Sequence, residues 1–112
     1  MKVPNGWSAR ISAAKIHDYL LSPVHPAGRS KCAFFTSLGY SRAAWRRLDA
    51  DLRVHLRDHD VVRTQPNPYG MKYIVRGTLS GPSGAVADVI AVWILLDGES
   101  APRFVTAYPG ED

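Results

Sequence analysis

Cysteine is almost missing from this chain: Cys32 stands alone. That excludes an internal disulfide framework and any cysteine-rich zinc site, and it makes a reducing compartment the expected setting. Long apolar runs are missing too. No stretch approaches the roughly 20 apolar residues that a membrane-crossing helix needs. The start, Met1-Lys2-Val3-Pro4-Asn5-Gly6, lacks the apolar centre of a signal peptide. No membrane partner is expected, and the expected location is cytoplasmic. Internal repeats and low-complexity segments are absent as well.

What is present suits one hydrophobic core. Of 112 residues, 46% are hydrophobic, with three Trp, five Tyr and three Phe, so the chain can bury a core of ordinary size. A single domain over 1–112 is expected, with residues 1–11, holding Pro4, Asn5 and Gly6, as a loose lead-in. The formal net charge is +4, and the excess is uneven. Residues 28–63 hold eight cations against Asp49, Asp51, Asp58 and Asp60, whereas residues 64–112 are net acidic. Most of the cations are Arg, whose planar fork suits phosphate, so a polyanion is a candidate ligand, with nucleic acid the commonest.

Hydrophobic spacing orders the elements. Ser12 is a candidate N-cap for a helix carrying Ile16, Tyr19 and Leu20, and Ser22-Pro23 ends it. A stiff loop Pro23-Val24-His25-Pro26-Ala27-Gly28 follows, with Pro26 keeping His25 out of the α region. A short helix over Ser30 to Leu38 presents Phe34, Phe35 and Leu38, with Gly39 as its αL stop. Ser41 then caps the longest helix, where Trp45, Leu48, Leu52 and Leu56 recur among Arg and Asp. From Val61 the period becomes extended. Val61 to Thr64, Met71 to Leu79, Ala85 to Leu96 and Arg103 to Tyr108 read as strands, separated by the Pro66 to Gly70 loop and two Gly-containing turns. Ala85 to Leu96 is apolar enough for a central strand, and Trp45 and Trp93 are expected to anchor helix to sheet. Helices first and strands after predict an α+β fold: N-terminal helices packed on a C-terminal antiparallel sheet of about four strands.

Four groupings could carry chemistry. His25-Pro26-Ala27-Gly28-Arg29-Ser30-Lys31 sets an imidazole, a guanidinium, a hydroxyl and an ammonium at a loop-to-helix junction, where free N–H groups also favour an anion. The same residues can equally be a polar loop whose Ser30 caps a helix. In the last strand, strict alternation puts Phe104, Thr106 and Tyr108 on one face and Arg103, Val105 and Ala107 on the other. That is awkward for an exposed site, because Phe104 belongs in the core. His55 and His59 sit four apart on the long helix and faintly resemble a helical zinc pair, but Asp58 stands where Glu is usual and Arg side chains surround them. A solvated helix surface is the expectation, with no metal and no cofactor. Cys32, beside Lys31, could be a nucleophile paired with His17 or His25, or simply a buried thiol.

Several motifs together resemble a bacterial family of unknown function, DUF6883. They are Lys15-Ile16-His17-Asp18-Tyr19-Leu20-Leu21, the His25 to Lys31 loop, Phe34-Phe35 with Leu38-Gly39-Tyr40, and Arg103-Phe104-Val105-Thr106-Ala107-Tyr108-Pro109. The resemblance runs from about Lys15 to Pro109. More loosely, an early His and Lys, helices before four antiparallel strands, and a final strand ending in Thr-x-Tyr-Pro are similar to the barnase, EndoU, colicin and RelE superfamily of toxin nucleases, the BECR fold. That likeness implies a metal-independent endoribonuclease of bacterial toxin type, cleaving RNA by 2′-OH attack and restrained by a cognate inhibitor protein.

It also implies His25, Lys31, Arg103, Thr106 and Tyr108 as the catalytic set. The chain departs from better-known members in lacking a second His near His25, so His17 or Tyr108 would complete the acid–base pair. Arg29, together with Arg46, Arg47 and Arg53 of the long helix, is the candidate nucleic-acid contact. The alternative is a non-catalytic interaction module, a toxin–antitoxin partner or nucleic-acid binder, that uses the Arg-rich helix. The catalytic reading requires His25 and Thr106 to meet in space.

Overall fold

The structure, a computed structural model, describes residues 1–110. The last two residues of the expected domain, 111 and 112, lie outside the described residues. The architecture is α+β, with helices first and a four-stranded antiparallel sheet after them. The lead-in holds one 3-10 turn, Gly6–Ser8. It is pinned to the sheet: Val3 and Ala9 are buried, Val61 N–H donates to the Met1 carbonyl at 2.7 Å, and Arg10 bridges Arg103.

Helix α1 is short, Ala13–Lys15, and runs on as a π turn over Ile16–Leu20. Ser12 is at its N-cap, although the side chain makes no capping bond. The wider turn buries Ile16 and Leu20 while leaving Lys15 and Tyr19 on the side facing the last strand. Helix α2 spans Arg29–Ser37, buries Phe35 and stops at Gly39, whose φ of 101° is a conformation that favours glycine. Helix α3 covers Trp45–Asp58, starting later than Ser41 suggests; Ser41 Oγ instead accepts from Ala44 N–H at 3.2 Å just ahead of it. Its inner face is Leu48, Leu52, His55 and Leu56.

The strands are β1 Val61–Asn67, β2 Gly70–Ser80, β3 Val86–Leu96 and β4 Arg103–Pro109, in that spatial order. Residues read from sequence as the Pro66 to Gly70 loop mostly belong to strands: Pro66 pairs with Met71 on the edge strand β1, where a residue without an N–H is tolerated. The turn shrinks to Pro68 and Tyr69, held by Asn67 Oδ1 accepting from the Tyr69 and Gly70 N–H groups.

All helices lie on one face of the sheet. That face carries Val75, Leu79, Val89, Ala91, Trp93, Phe104 and Ala107, all buried. Trp93 meets the Phe104 ring edge-on at 5.3 Å. Trp45 is only half-buried and is covered by the Arg46 guanidinium at 4.6 Å.

His55 corrects the expectation of a solvated helix surface. It is 1% exposed, and its Nε2 lies 3.1 Å from the Gly77 carbonyl and 3.0 Å from that of Val89, stitching α3 to β2 and β3. His59, one turn on, reaches the Thr78 carbonyl at 3.0 Å. A Cβ at Gly77 would collide with the His59 ring, so the glycine admits this stitch. Both Nε2 atoms lie against backbone carbonyls.

Candidate active site

The alternation of the last strand is broken by a β-bulge at Val105. Ala107 pairs with Ala91 and Thr106 with Val92, but Phe104 pairs with Trp93, so Val105 has no partner. The extra residue shifts the pleat by one. Phe104 and Ala107 therefore both enter the core, and Thr106 and Tyr108 turn to the uncovered face. The expectation that Thr106 and Tyr108 share the side of Phe104 is thereby corrected. Lys15 Nζ donates to the Val105 carbonyl at 3.1 Å, tying the bulge to α1.

Thr106 then borders a cavity of about 600 Å³ that is also lined by Lys15, Asp18, Tyr19 and His25. That size suits a nucleotide. Tyr19 is its hub. Its hydroxyl bonds the Thr106 hydroxyl at 2.9 Å, and its ring meets the His25 ring edge-on at 5.1 Å. The Lys15 and Lys31 ammoniums lie 5.6 Å and 5.5 Å from the centre of the same ring. His25 and Thr106, 81 positions apart in sequence, thus line one cavity with a single phenol between them.

The His25 ring is fixed from behind. Ser22 Oγ accepts from the His25 N–H at 3.2 Å, and His25 Nδ1 accepts from the Ala27 and Gly28 N–H groups at 3.0 and 3.1 Å. An acceptor at Nδ1 assigns the ring proton to Nε2, so His25 presents a donor from its free nitrogen. Gly28 permits the fit, since a Cβ there would run into the Tyr19 carbonyl. The carboxylate at the rim, Asp18, is held below its ordinary range first by the Arg42 guanidinium at 2.7 Å and then by His17, also at 2.7 Å. It is already ionised and engaged, and so is a weak proton acceptor.

The structure brings His25 and Thr106 into one cavity beside Tyr19; Lys31 lies over the Tyr19 ring but is absent from the lining, its Nζ donating to the Ala27 carbonyl at 3.3 Å. Tyr108 lines an adjoining groove of about 440 Å³ on the open sheet face, which shares Val105 and Thr106 with the cavity. Arg103 does not join them. Its guanidinium bonds both Glu99 carboxylate oxygens, at 2.8 and 2.6 Å, and holds that carboxyl below its ordinary range. Of the expected nucleic-acid contacts, Arg29 is exposed at the first position of α2. Arg47 and Arg53 are paired with Asp51 and Asp49, and Arg46 lies on Trp45. Tyr40 also donates to Asp51 at 2.6 Å; burial, then this carboxylate, pushes its hydroxyl above the ordinary tyrosine range. Cys32 is half-buried, with its sulfur 3.8 Å from the Thr36 hydroxyl and absent from the cavity lining.

Tyr19, within the helix the sequence predicts, is a site residue that none of the motifs singles out. The available signal was Lys15 and Tyr19 one turn apart, a spacing that stacks side chains on one helix face.

The family model described as a domain of unknown function, DUF6883, matches residues 2–111. The chain belongs to the DUF6883 family. No curated protein matches it significantly. Among solved structures, this DUF6883 chain superposes on one from a complex described as a contact-dependent growth inhibition toxin and immunity protein complex from Klebsiella pneumoniae 342. The TM-score is 0.74 at 16% identity, covering 96% of this chain and 97% of the other. At that identity the two share a fold.

Proposed function

We propose that this chain is a metal-independent endoribonuclease of bacterial toxin type, held in check by a cognate protein inhibitor. The observation that carries the reading is the Tyr19–Thr106 hydroxyl pair at the mouth of a nucleotide-sized cavity, with His25, Lys15 and Lys31 around the same phenol. The structural neighbour comes from a toxin and immunity protein complex, which agrees with a role in such a system and with an inhibitor as partner.

RNA supplies its own nucleophile. The 2′-OH proton passes to solvent water at the open mouth, O2′ bonds to phosphorus in line, and the P–O5′ bond breaks. A 2′,3′-cyclic phosphate and a 5′-hydroxyl remain. Thr106 Oγ1–H and His25 Nε2–H hydrogen-bond the phosphoryl oxygens as their charge grows, which is where fixed donors matter most. Lys15 and Lys31 offset that charge, and the Lys31 ammonium gives O5′ its proton. His25 acts as a donor here because its other nitrogen holds the turn. Tyr108 stacks on a base in the adjoining groove. The interaction-module reading is weaker, since two of the arginines on α3 that it relies on are already neutralised by aspartates of the same helix.

The test is incubation of the purified chain with total RNA in EDTA, beside Thr106→Val and His25→Ala, with fragment ends analysed. Cleavage to 2′,3′-cyclic phosphate by the wild type, lost in both variants, is expected. Intact RNA after treatment with folded wild-type protein, freed of any co-purifying inhibitor, overturns the reading.

A further inference from the structure

The open sheet face has a cationic side that no mechanism step above uses. β1 carries a second bulge: Val61 pairs with Val75 but Arg63 with Ile74, leaving Val62 over. The shift sends Arg63 and Gln65 to the uncovered face, beside Lys72 and Ile74 of β2. Each edge strand therefore has a bulge, and each bulge turns polar side chains onto the same groove. Bulges re-aim side chains next to functional sites.

The groove floor is Ile74, Ile90 and Val92, and no carboxylate among the described residues lines it. Asp88, further along that face, is bonded to Arg76 at 2.7 Å. Among the described residues, Arg63 and Lys72 have no carboxylate partner, in contrast to Arg42, Arg47, Arg53, Arg76 and Arg103. A lone charge on Arg63 could serve to protect a sheet edge from pairing. Lys72 has no such reason, because β2 is an interior strand.

We infer that a single-stranded RNA segment runs across this face, from the Thr106 cavity over Ile74 and Val92 to β1, with Arg63 and Lys72 gripping its phosphates. The inference rests on the proposed function for the identity of the ligand. It deepens that reading by giving the strand's path and the two residues that hold it. The occupant is a polyanion with flat apolar parts, as an apolar floor with an unneutralised cationic rim demands, and the groove continues into the cavity through Val105 and Thr106. An acidic protein is the competing occupant.

The experiment uses a short single-stranded 2′-O-methyl oligonucleotide, which cannot be cleaved, so binding is read apart from catalysis. Affinity is measured across salt for wild type, Arg63→Ala, Lys72→Ala, the double variant, and Arg57→Ala, an exposed cation on α3. For single strands each lost phosphate contact lowers the slope of log affinity against log salt by about 0.7, which is about fivefold in affinity near 0.1 M salt. The double variant should lose about 1.4 in slope and about 25-fold in affinity, while Arg57→Ala tracks wild type. Unchanged affinity and slope in the double variant overturns the path, even if the wild type cleaves RNA. Wild-type protein that does not bind the oligonucleotide overturns it too and points to the acidic protein. Binding that depends on both residues in a chain that never cleaves RNA supports the path and removes the cleavage reading alone. Among the described residues the side chains of Arg63 and Lys72 have no hydrogen-bond or salt-bridge partner, so melting temperatures should match and separate a binding loss from a folding defect.

Discussion

Replacing Tyr19 by Phe removes one oxygen and keeps the ring. The stacking with Lys15, Lys31 and His25 therefore survives, and the 2.9 Å bond to Thr106 does not. Both hydroxyls are half-buried at an open cavity, so water can replace the lost partner. The cost to folding is then that of one ordinary hydrogen bond, about 1 kcal/mol, or a fall in Tm of about 5 °C for a domain of this size. Catalysis should suffer more. If the bond aims Thr106 Oγ1 at the phosphoryl oxygen, losing it forfeits a transition-state donor, about 100-fold or more in kcat, with KM little changed.

Thr106→Val should fall by a similar factor, and the double variant should be no slower than the slower single variant, because the two oxygens act as one device. The assay is single-turnover cleavage of a defined oligonucleotide in EDTA by all four proteins of the cycle, with urea melts alongside. Wild-type kcat in Tyr19→Phe would refute the reasoning. So would singles whose effects multiply in the double variant, since that makes the hydroxyls independent.

Other substitutions test the supports. His55→Ala removes a buried ring and two backbone contacts, and should cost about 3 kcal/mol or more in urea unfolding. Burial holds His55 below its ordinary 6.5, so the unfolded chain takes up the proton first, and stability should fall as pH drops from 6.5 toward the lowered folded value. His55→Gln, which keeps a donor but does not titrate, should flatten that part of the profile, measured as unfolding free energy against pH. Gly28→Ala pushes a methyl into the Tyr19 carbonyl and should shift the His25 turn, lowering kcat at least about tenfold for about 1–3 kcal/mol of stability, read by cleavage and melting.

The large-scale arrangement was legible because it rests on periodicity. Leu48, Leu52 and Leu56 mark the inner face of α3, and the Val- and Ile-rich run from Val86 to Leu96 marks an interior strand. The loop motif was legible as residue types, and the structure places its His25 in one cavity with Thr106 and its Lys31 over the Tyr19 ring between them. What failed was anything requiring a register. Strict alternation is the only rule a strand offers in sequence, and nothing in Arg103-Phe104-Val105-Thr106 announces that one residue will go unpaired. The same holds at Val62. His55 failed for a related reason: helical spacing placed it near a charged face, while its two acceptors come from strands 22 and 34 positions away.

These failures share a physical cause that bears on function. A bulge gives up ladder pairing, and a buried imidazole gives up hydration; both are local losses that only tertiary contacts offset. At Val105 the offset is the Lys15 ammonium on its carbonyl, a contact that also brings that cation to the Tyr19 ring. Lys15 is therefore doubly placed, holding the bulge with its Nζ and the cavity's charge with the same atom. Lys15→Met, which keeps the apolar stem and loses both, should relax the bulge as well as weaken the field at the cavity. Backbone amide exchange at Val105 and Thr106 should then accelerate, and kcat should fall. Slowed cleavage with unchanged exchange would assign Lys15 to charge alone and leave the bulge to hold itself.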